Sequence, residues 1–590
     1  MKYSDQLVEW LAELGYSHCF FVAGGNIMHL LESASRRFKC INFGHEVATG
    51  VAAEYFNQIA DGERAFALVT AGPGLTNIVT AMAGAFLESR ELLVIGGQVK
   101  VPDLSHGKLR QRGIQEIDGV TIARPVTVLS RLVTEVLRRD EFKALAEAGS
   151  KGRKGPVFLE IPLDIQARQV EPEAYAPAAG LAAAVATAPD AATLARLESE
   201  IRSAERPVLL LGGGVSRAAA RKVHDRLSAM AIPIMTTWNG ADRIEADHPL
   251  YFGRPNTWGQ RSANLLLQQA DFLVALGTRL GLQQTGFNWQ EFVPGGRVAQ
   301  VDLDPAELGK GHPRVALPIA GDADSTLEHF VDADLGRHDG WVAYCRDVRA
   351  AIPLSEAVNQ TRQGYISPYE FCLSLSQLAA EGDIIVPASS GGAFTVMMQA
   401  FNQRRGQSIV TNKGLAAMGY GLSGAIGGAI AGKGRRTILV EGDGGFFQNL
   451  QEVGTAAINR LNIKIFVFDD GGYASIRMTQ KSYFGGRYVG CDRDTGLGLP
   501  DWPALFEAFR VPAMRLTPGF ADDAAFLEEF QSDGVAAFVV PIDPEQTYFP
   551  KITSRVTAEG GMASNPLHLM TPPLDEGLAR RVGRYLPAAG

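Results

Sequence analysis

Two acidic positions in the last third of the chain carry the clearest chemistry. The apolar run Thr437-Ile-Leu-Val440 leads into Glu441-Gly-Asp-Gly-Gly-Phe-Phe447, and the next apolar run, Ile463 to Phe468, leads into Asp469-Asp-Gly-Gly-Tyr473. If both runs are neighbouring parallel strands, Asp443 and Asp470 stand at their carboxyl ends, where open α/β sheets bind ligands. Magnesium takes hard oxygen ligands, commonly one or two carboxylates together with phosphate oxygens. Gly442, Gly444 and Gly445 leave room for backbone N–H groups to approach a diphosphate at the start of a helix, here expected over 449–460. Tight strand-to-helix turns also favour Asp-Gly, so turn chemistry alone explains the same residues.

A third acid, Glu46, follows Asn42-Phe-Gly-His45 and precedes a helix expected over 47–60. A lone glutamate at such a place ordinarily offsets the helix dipole. Met418 lies in Asn412-Lys-Gly-Leu-Ala-Ala-Met-Gly-Tyr-Gly-Leu422 and by itself reads as core filler. The stretch Gly414 to Gly432 has no charge but holds seven glycines. Small residues in that density fit a buried, closely packed helix better than a lipid-facing span.

The elements that must position these residues repeat one style, an apolar strand, a glycine turn and an amphipathic helix, which predicts an α/β fold with three consecutive parallel-sheet domains. The first is expected over 1–168, with strands at Ala65 to Thr70, at Leu92 to Ile95 before Gly96-Gly97, and at Gly155 to Pro162. A Pro/Ala-rich linker follows over 169–190. A central α/β domain spans 191–335, with strands at Pro207 to Leu211, Phe272 to Leu276 and Val298 to Asp304. A connector over 336–366, helical from Trp341 to Ala351, leads to a third domain over 367–545. The tail, 546–590, loses periodicity and is either laid over the body of the protein or partly disordered.

At 590 residues the chain needs several cores. Its 46% hydrophobic and 20% charged residues are an ordinary globular balance, and a net charge of −8 without a basic block argues against nucleic acid. Five scattered cysteines without a C-x-x-C pair argue against a disulfide framework or zinc site and suit a reducing cytoplasm. No basic segment followed by an apolar one opens the chain, so no signal peptide is expected.

Gly442-Asp-Gly444 followed by the Asp469-Asp470 pair resembles the diphosphate and Mg2+ signature of thiamine-diphosphate-dependent enzymes. The resemblance implies Asp443, Asp470 and the backbone oxygen of Gly472 as metal ligands, although the family carries Asn-Asn where this chain has Asp469-Asp470. It further implies that Glu46 hydrogen-bonds the cofactor's pyrimidine ring and promotes loss of the C2 proton, chemistry that belongs to the cofactor. Thr70-Ala-Gly-Pro-Gly-Leu-Thr-Asn77 matches another family segment, with Pro73 and Asn77 toward the cofactor. Met418 would wedge between the two cofactor rings and the Ala416 backbone would meet the pyrimidine amino group. Gly391, Gly392, Gly442, Gly444, Gly445, Tyr473 and Ala474 complete the implied cofactor contacts.

The likeness covers nearly all of the first 545 residues, in the order pyrimidine-binding, central and diphosphate-binding domain, and is strongest to the acetolactate synthase large subunit and its acetyl-transferring relatives. Gln115-Glu116 resembles that group's Phe-Gln-Glu loop, making Gln115 a catalytic candidate contributed across a homodimer or homotetramer interface. FAD is a further candidate cofactor, from Gly212-Gly-Gly214 and Gly277-Thr-Arg279, but the acids that follow that arginine in the synthases are unmatched in Leu280-Gly-Leu-Gln-Gln-Thr285. Three departures point away from the housekeeping synthase: Thr479 at its tryptophan position, Val128 near its lysine position, and Ser389-Ser-Gly-Gly-Ala393 for its Gly-Gln-His-Gln stretch. The expected activity is decarboxylation of a 2-keto acid, pyruvate first, and transfer of the acyl carbanion equivalent to a carbonyl acceptor. The alternatives are a simple 2-keto acid decarboxylase and a catalytically silent homologue; Glu46, Asp443 and Met418 together argue against silence.

Overall fold

Branched and aromatic side chains fill three successive sets of short strands, the composition that suits a sheet covered on both faces. The computed structural model describes residues 1–173, 187–388, 391–556 and 561–587. Its first sheet has β1 (Tyr16–Phe21), β2 (Lys39–Asn42), β3 (Arg64–Val69), β4 (Leu92–Gln98), β5 (Leu129–Leu132) and β6 (Pro156–Pro162), in the order β2-β1-β3-β4-β6-β5, all parallel. The second has β7 (Pro207–Leu211), β8 (Ile234–Thr236), β9 (Phe272–Leu276), β10 (Arg297–Asp302) and β11 (Leu317–Ala320), in the parallel order β11-β10-β9-β7-β8. The third contains β12 (Ile384–Ala388), β13 (Thr437–Gly442), β14 (Ile463–Asp469), β15 (Ala513–Arg515) and β16 (Ala536–Pro541), running β12-β13-β14-β16-β15.

Of the described residues, those within Met1–Val185, Asp383–Ser390 and Val410–Val540 form one compact unit, and those within Ala186–Gly382, Gly391–Ile409 and Pro541–Gly590 a second. The first unit thus joins the two sheets at the ends of the sequence around a shared core that includes Phe20, Phe56, Val94, Ile426, Leu439 and Ile465. Four of its helices matter below: α1 (Glu46–Ile59), α2 (Pro73–Leu87), α3 (Tyr420–Gly432) and α4 (Ala474–Phe484).

The uncharged, glycine-rich stretch is α3, every residue of which is buried. Its glycines let it lie directly on α1: a Cβ on Gly427 would fall 2.0 Å from the Ala52 carbonyl oxygen. The two helices are also tied through Glu54 of α1, which accepts hydrogen bonds from the Tyr420 hydroxyl at 2.7 Å and the Arg90 guanidinium at 2.8 Å. Among the described residues no helix is long and apolar enough to cross a membrane.

One expectation shifts. Gly96 and Gly97 lie inside β4 rather than in a turn after it, because Phe158 and the Asn26 carbonyl occupy the space a Cβ would need. The expected linker falls mostly on 174–186, outside the described residues, as do Ser389 and Ser390. The described part of the tail is ordered within the second unit. Leu567 is fully buried there, Arg261 donates to the carbonyls of Met570 and Pro572 at 3.2 and 2.7 Å, and Gln269 donates to that of Val582 at 2.9 Å.

Candidate functional site

β13 and β14 are hydrogen-bonded neighbours with Gly442 opposite Phe468, so the acids that follow each strand emerge at one level. Asp443 opens a helix of only four residues, Asp443–Phe446; the next regular helix begins at Glu452, later than expected. Asp443 is fully buried, its carboxylate accepting from the Gly444 and Gly471 N–H groups at 2.7 and 2.9 Å. Asp470, also buried, accepts at its Oδ1 and its carbonyl from one guanidinium nitrogen of Arg477, at 2.7 and 2.9 Å. Burial first, then the charges of Asp470 and Asp469, push the Asp443 carboxyl well above the usual range. Burial pushes Asp470 up to about 6 while Arg477 works against it. Two adjacent carboxylates in low dielectric form a donor set short of positive charge, which is what a divalent cation supplies.

Glycines let the chain pack closely at this corner. Gly471 and Gly472 have φ of 82° and 146°, and a Cβ on Gly472 would sit 2.2 Å from the Cys491 carbonyl oxygen, so glycine is required there. Gly444 lies under the Tyr473 ring, where a Cβ would come within 2.3 Å of it. Gly445 is buried in the same short helix. Ala474 starts α4, its N–H donating to the Gly472 carbonyl at 3.1 Å. Gln448 spans from the Tyr473 hydroxyl to the Met418 sulfur, 3.5 Å to each. The diphosphate-half candidates Gly442, Asp443, Gly444, Gly445, Asp470, Gly472, Tyr473, Ala474 and Met418 therefore cluster. Ala416, two residues from Met418, has a left-handed φ of 53°, held by its N–H bond to the Asn412 side chain at 3.1 Å. A non-glycine residue in that conformation is strained, and such strain concentrates at functional sites.

A second constellation surrounds Glu46. The His45 side chain caps α1 by accepting from the Val47 N–H at 3.2 Å, which leaves Glu46 as the first helical residue, buried and free of the capping task. Asn77, one turn into α2, donates to the Glu46 carboxylate at 2.9 Å. Pro73 is the exposed first residue of α2, following Gly72 at φ 63°. Gln115 packs against Gly72 with its own backbone left-handed, φ 64°. Thus Glu46 and Asn77 meet, and Gln115 joins the start of α2. In the second unit, Gly391 (φ 75°) and Gly392 open the helix Gly392–Ala400, with Gly392 against the Tyr548 ring. Thr479 is exposed and bonds back to the Ser475 carbonyl at 2.9 Å, and Val128 packs beside Gly155 at the head of β5.

Three residues escaped sequence reasoning. Glu452 accepts from the Gly44 N–H at 3.1 Å, bracing the turn before Glu46; no local signal marks a partner 408 residues away. The Glu116 carboxylate accepts from the N–H groups of Ser105, Arg112 and Gly113, which against the opposing effect of burial hold it down at about 2 and fix the Gln115 loop. Arg477 looks like any polar helix residue until the fold turns it onto Asp470.

Comparison with known proteins agrees with this geometry. Residues 1–122 match the thiamine pyrophosphate enzyme N-terminal TPP binding domain, 194–330 the central domain and 390–540 the C-terminal TPP binding domain. The chain is 30% identical to the acetolactate synthase large subunit of Corynebacterium glutamicum over 534 residues, covering 88% of this chain and 83% of that one. It is 29% identical to the acetolactate synthase isozyme 1 large subunit of Escherichia coli strain K12 over 568 residues, 93% and 95% of the two chains. With the probable acetolactate synthase large subunit of Methanocaldococcus jannaschii it shares 28% over 533 residues, 88% of each. Three parallel α/β sheets, three matched domains and this degree of identity together mean that the chain belongs to the thiamine pyrophosphate enzymes, as an acetolactate-synthase-like member.

Proposed function

We propose that this enzyme decarboxylates a 2-keto acid, pyruvate in the first instance, and transfers the acyl carbanion equivalent to a carbonyl acceptor, using thiamine diphosphate held with Mg2+. The observation that carries the reading is the buried Asp443/Asp470 pair at adjacent strand ends. No group of three His, Cys, Asp or Glu side chains suited to a metal occurs among the described residues. Two carboxylates and the Gly472 carbonyl therefore leave ligand positions for diphosphate oxygens and water, as magnesium prefers.

When bound, the cofactor supplies the carbanion chemistry at its thiazolium C2. The chain's own work is to hold and orient it. Glu46, buried and steadied by Asn77, would hold the pyrimidine ring through its carboxylate and hold or yield a proton there. The Ala416 backbone and Met418 would shape the space for its two rings, with Pro73 as a further contact. Gln115, on the loop that Glu116 organises, would be contributed to the reacting carbonyl across a dimer interface. Glu46 and Asp443 are expected to serve one cofactor from two copies of the chain, which makes the active form a homodimer or a homotetramer. FAD has weaker support, because Gly212 and Gly214 are taken up by packing: a Cβ on either would fall 2.2–2.7 Å from the Gly277 backbone. All five cysteines are free, in keeping with a cytoplasmic setting.

The test is to denature purified protein, identify thiamine diphosphate in the supernatant, and analyse by mass the products formed from pyruvate with a panel of aldehydes, ketones and keto acids. Carboligation products from pyruvate are expected. Absence of both cofactor and pyruvate turnover would overturn the reading.

A further inference from the structure

Three acids stand at the ends of β13 and β14, and they are not equivalent. Asp469 is partly exposed and pairs with Arg515 at 2.6 Å. Asp470 is buried and pairs with Arg477 at 2.7 Å, each side chain 8% exposed. Asp443 is fully buried and has no ion-pair partner among the described residues. Two of the three acids therefore carry their own cation, and the corner presents the net charge of one carboxylate.

Arg477 is built for this. It is the fourth residue of α4, and a single nitrogen reaches both the Asp470 carbonyl and its Oδ1. That pair of bonds fixes the side-chain torsion of Asp470 relative to its backbone. A buried ion pair adds little stability over apolar residues of like volume, so its retention calls for another explanation.

We propose that Arg477 is a positioning residue for the cation site: it holds Asp470 by one oxygen and offsets its charge, so that a divalent ion meets Asp443 as the one ligand carboxylate without an ion pair of its own among the described residues. This rests on the proposed role of Asp443 and Asp470 in holding Mg2+. Without Arg477 two full negative charges would face the ion, and attraction between charges a few ångströms apart in a protein interior changes affinity by about tenfold or more. Arg477 thereby keeps cation binding weak enough to depend on the diphosphate arriving with it.

The test uses the full-length chain stripped with EDTA, in five forms: wild type, Arg477→Met, Asp470→Asn, Asp470→Asn/Arg477→Met and Asp470→Ala. Two quantities are read, the thermal midpoint in EDTA and the Mg2+ concentration giving half-maximal thiamine diphosphate binding by intrinsic fluorescence. Arg477→Met should unfold at lower temperature in EDTA, recover with Mg2+, and need about tenfold less Mg2+. The double variant should return both quantities to near wild type, since it removes the stranded charge. If Arg477→Met fails to fold, folding of the double variant is the same rescue. A double variant as impaired as Arg477→Met, or Mg2+ dependence unchanged in Arg477→Met, would overturn the inference while leaving the cation site standing. Wild-type Mg2+ dependence in Asp470→Ala would instead remove Asp470 from the site and take both readings with it.

Discussion

Replacing Glu160 by glutamine should make the protein more stable in alkaline solution and leave it unchanged in acid. Glu160 lies on β6 between Gly96 of β4 and Leu132 of β5, is 2% exposed, and its Oε1 has no hydrogen-bond partner among the described residues. Burial, with the charge of Asp118 adding and Gln98 opposing, moves its carboxyl from 4.5 up to about 8. Between those values the folded protein keeps a proton that the unfolded chain releases, so stability falls as pH rises through that window. Below it both states are protonated, and above it the penalty is constant. A tenfold change in proton affinity is worth about 1.36 kcal/mol, which bounds the effect at about 5 kcal/mol; relaxation around the charge brings the expectation to about 2–4 kcal/mol at pH 8. For a domain of this size that is a rise in midpoint of about 5–15 °C. Thermal unfolding of cofactor-stripped wild type and Glu160→Gln, followed by circular dichroism from pH 4.5 to 8.5, measures it. A difference that stays the same across that range would refute the reasoning, because only a titrating group gives it this pH dependence.

Glu46→Gln should keep the fold and slow exchange of the bound cofactor's C2 proton by roughly 10²–10⁴-fold, as loss of an acid–base group does; NMR of that proton checks it, and wild-type exchange would remove the role. Mixing Glu46→Gln with Asp443→Ala protein should regain part of the activity after subunit exchange, since a hybrid dimer has one intact site; a fully active monomer at sedimentation equilibrium would exclude this. With pyruvate as donor, acceptor competition should show weak preference for 2-ketobutyrate and tolerance of a bulkier ketone, aldehyde or keto-sugar. The missing apolar contact at Thr479 is worth about 10–200-fold in selectivity, and strong preference for 2-ketobutyrate would contradict it.

Much of the architecture was legible because its signals are local. Apolar runs as short as Thr437 to Val440 and Phe272 to Leu276, bounded by glycine turns, favour strands, and the glycines beside Asp443 mark where the chain turns. Met418, ambiguous as a lone methionine, drew its proposed role only from its neighbours in the segment. What stayed hidden depends on long-range encounters or on the direction of a side chain. Gly96-Gly97 looks like a turn until the Asn26 carbonyl is known to press on it. Glu452 acts on Gly44 across 408 positions, whereas Glu116 and Arg477 act on residues only 3–11 positions away, and there it is the direction of the side chain that the sequence leaves open.

The fit of α3 onto α1 also sets a schedule. Gly427, whose missing side chain admits the Ala52 backbone, is synthesised 375 residues after it. At about 5–20 residues per second that is an interval of roughly 20–75 s. Throughout it the part of α1 that α3 will cover has no partner yet made on its own chain, and a small residue such as Ala52 keeps that waiting surface less adhesive than leucine or isoleucine would.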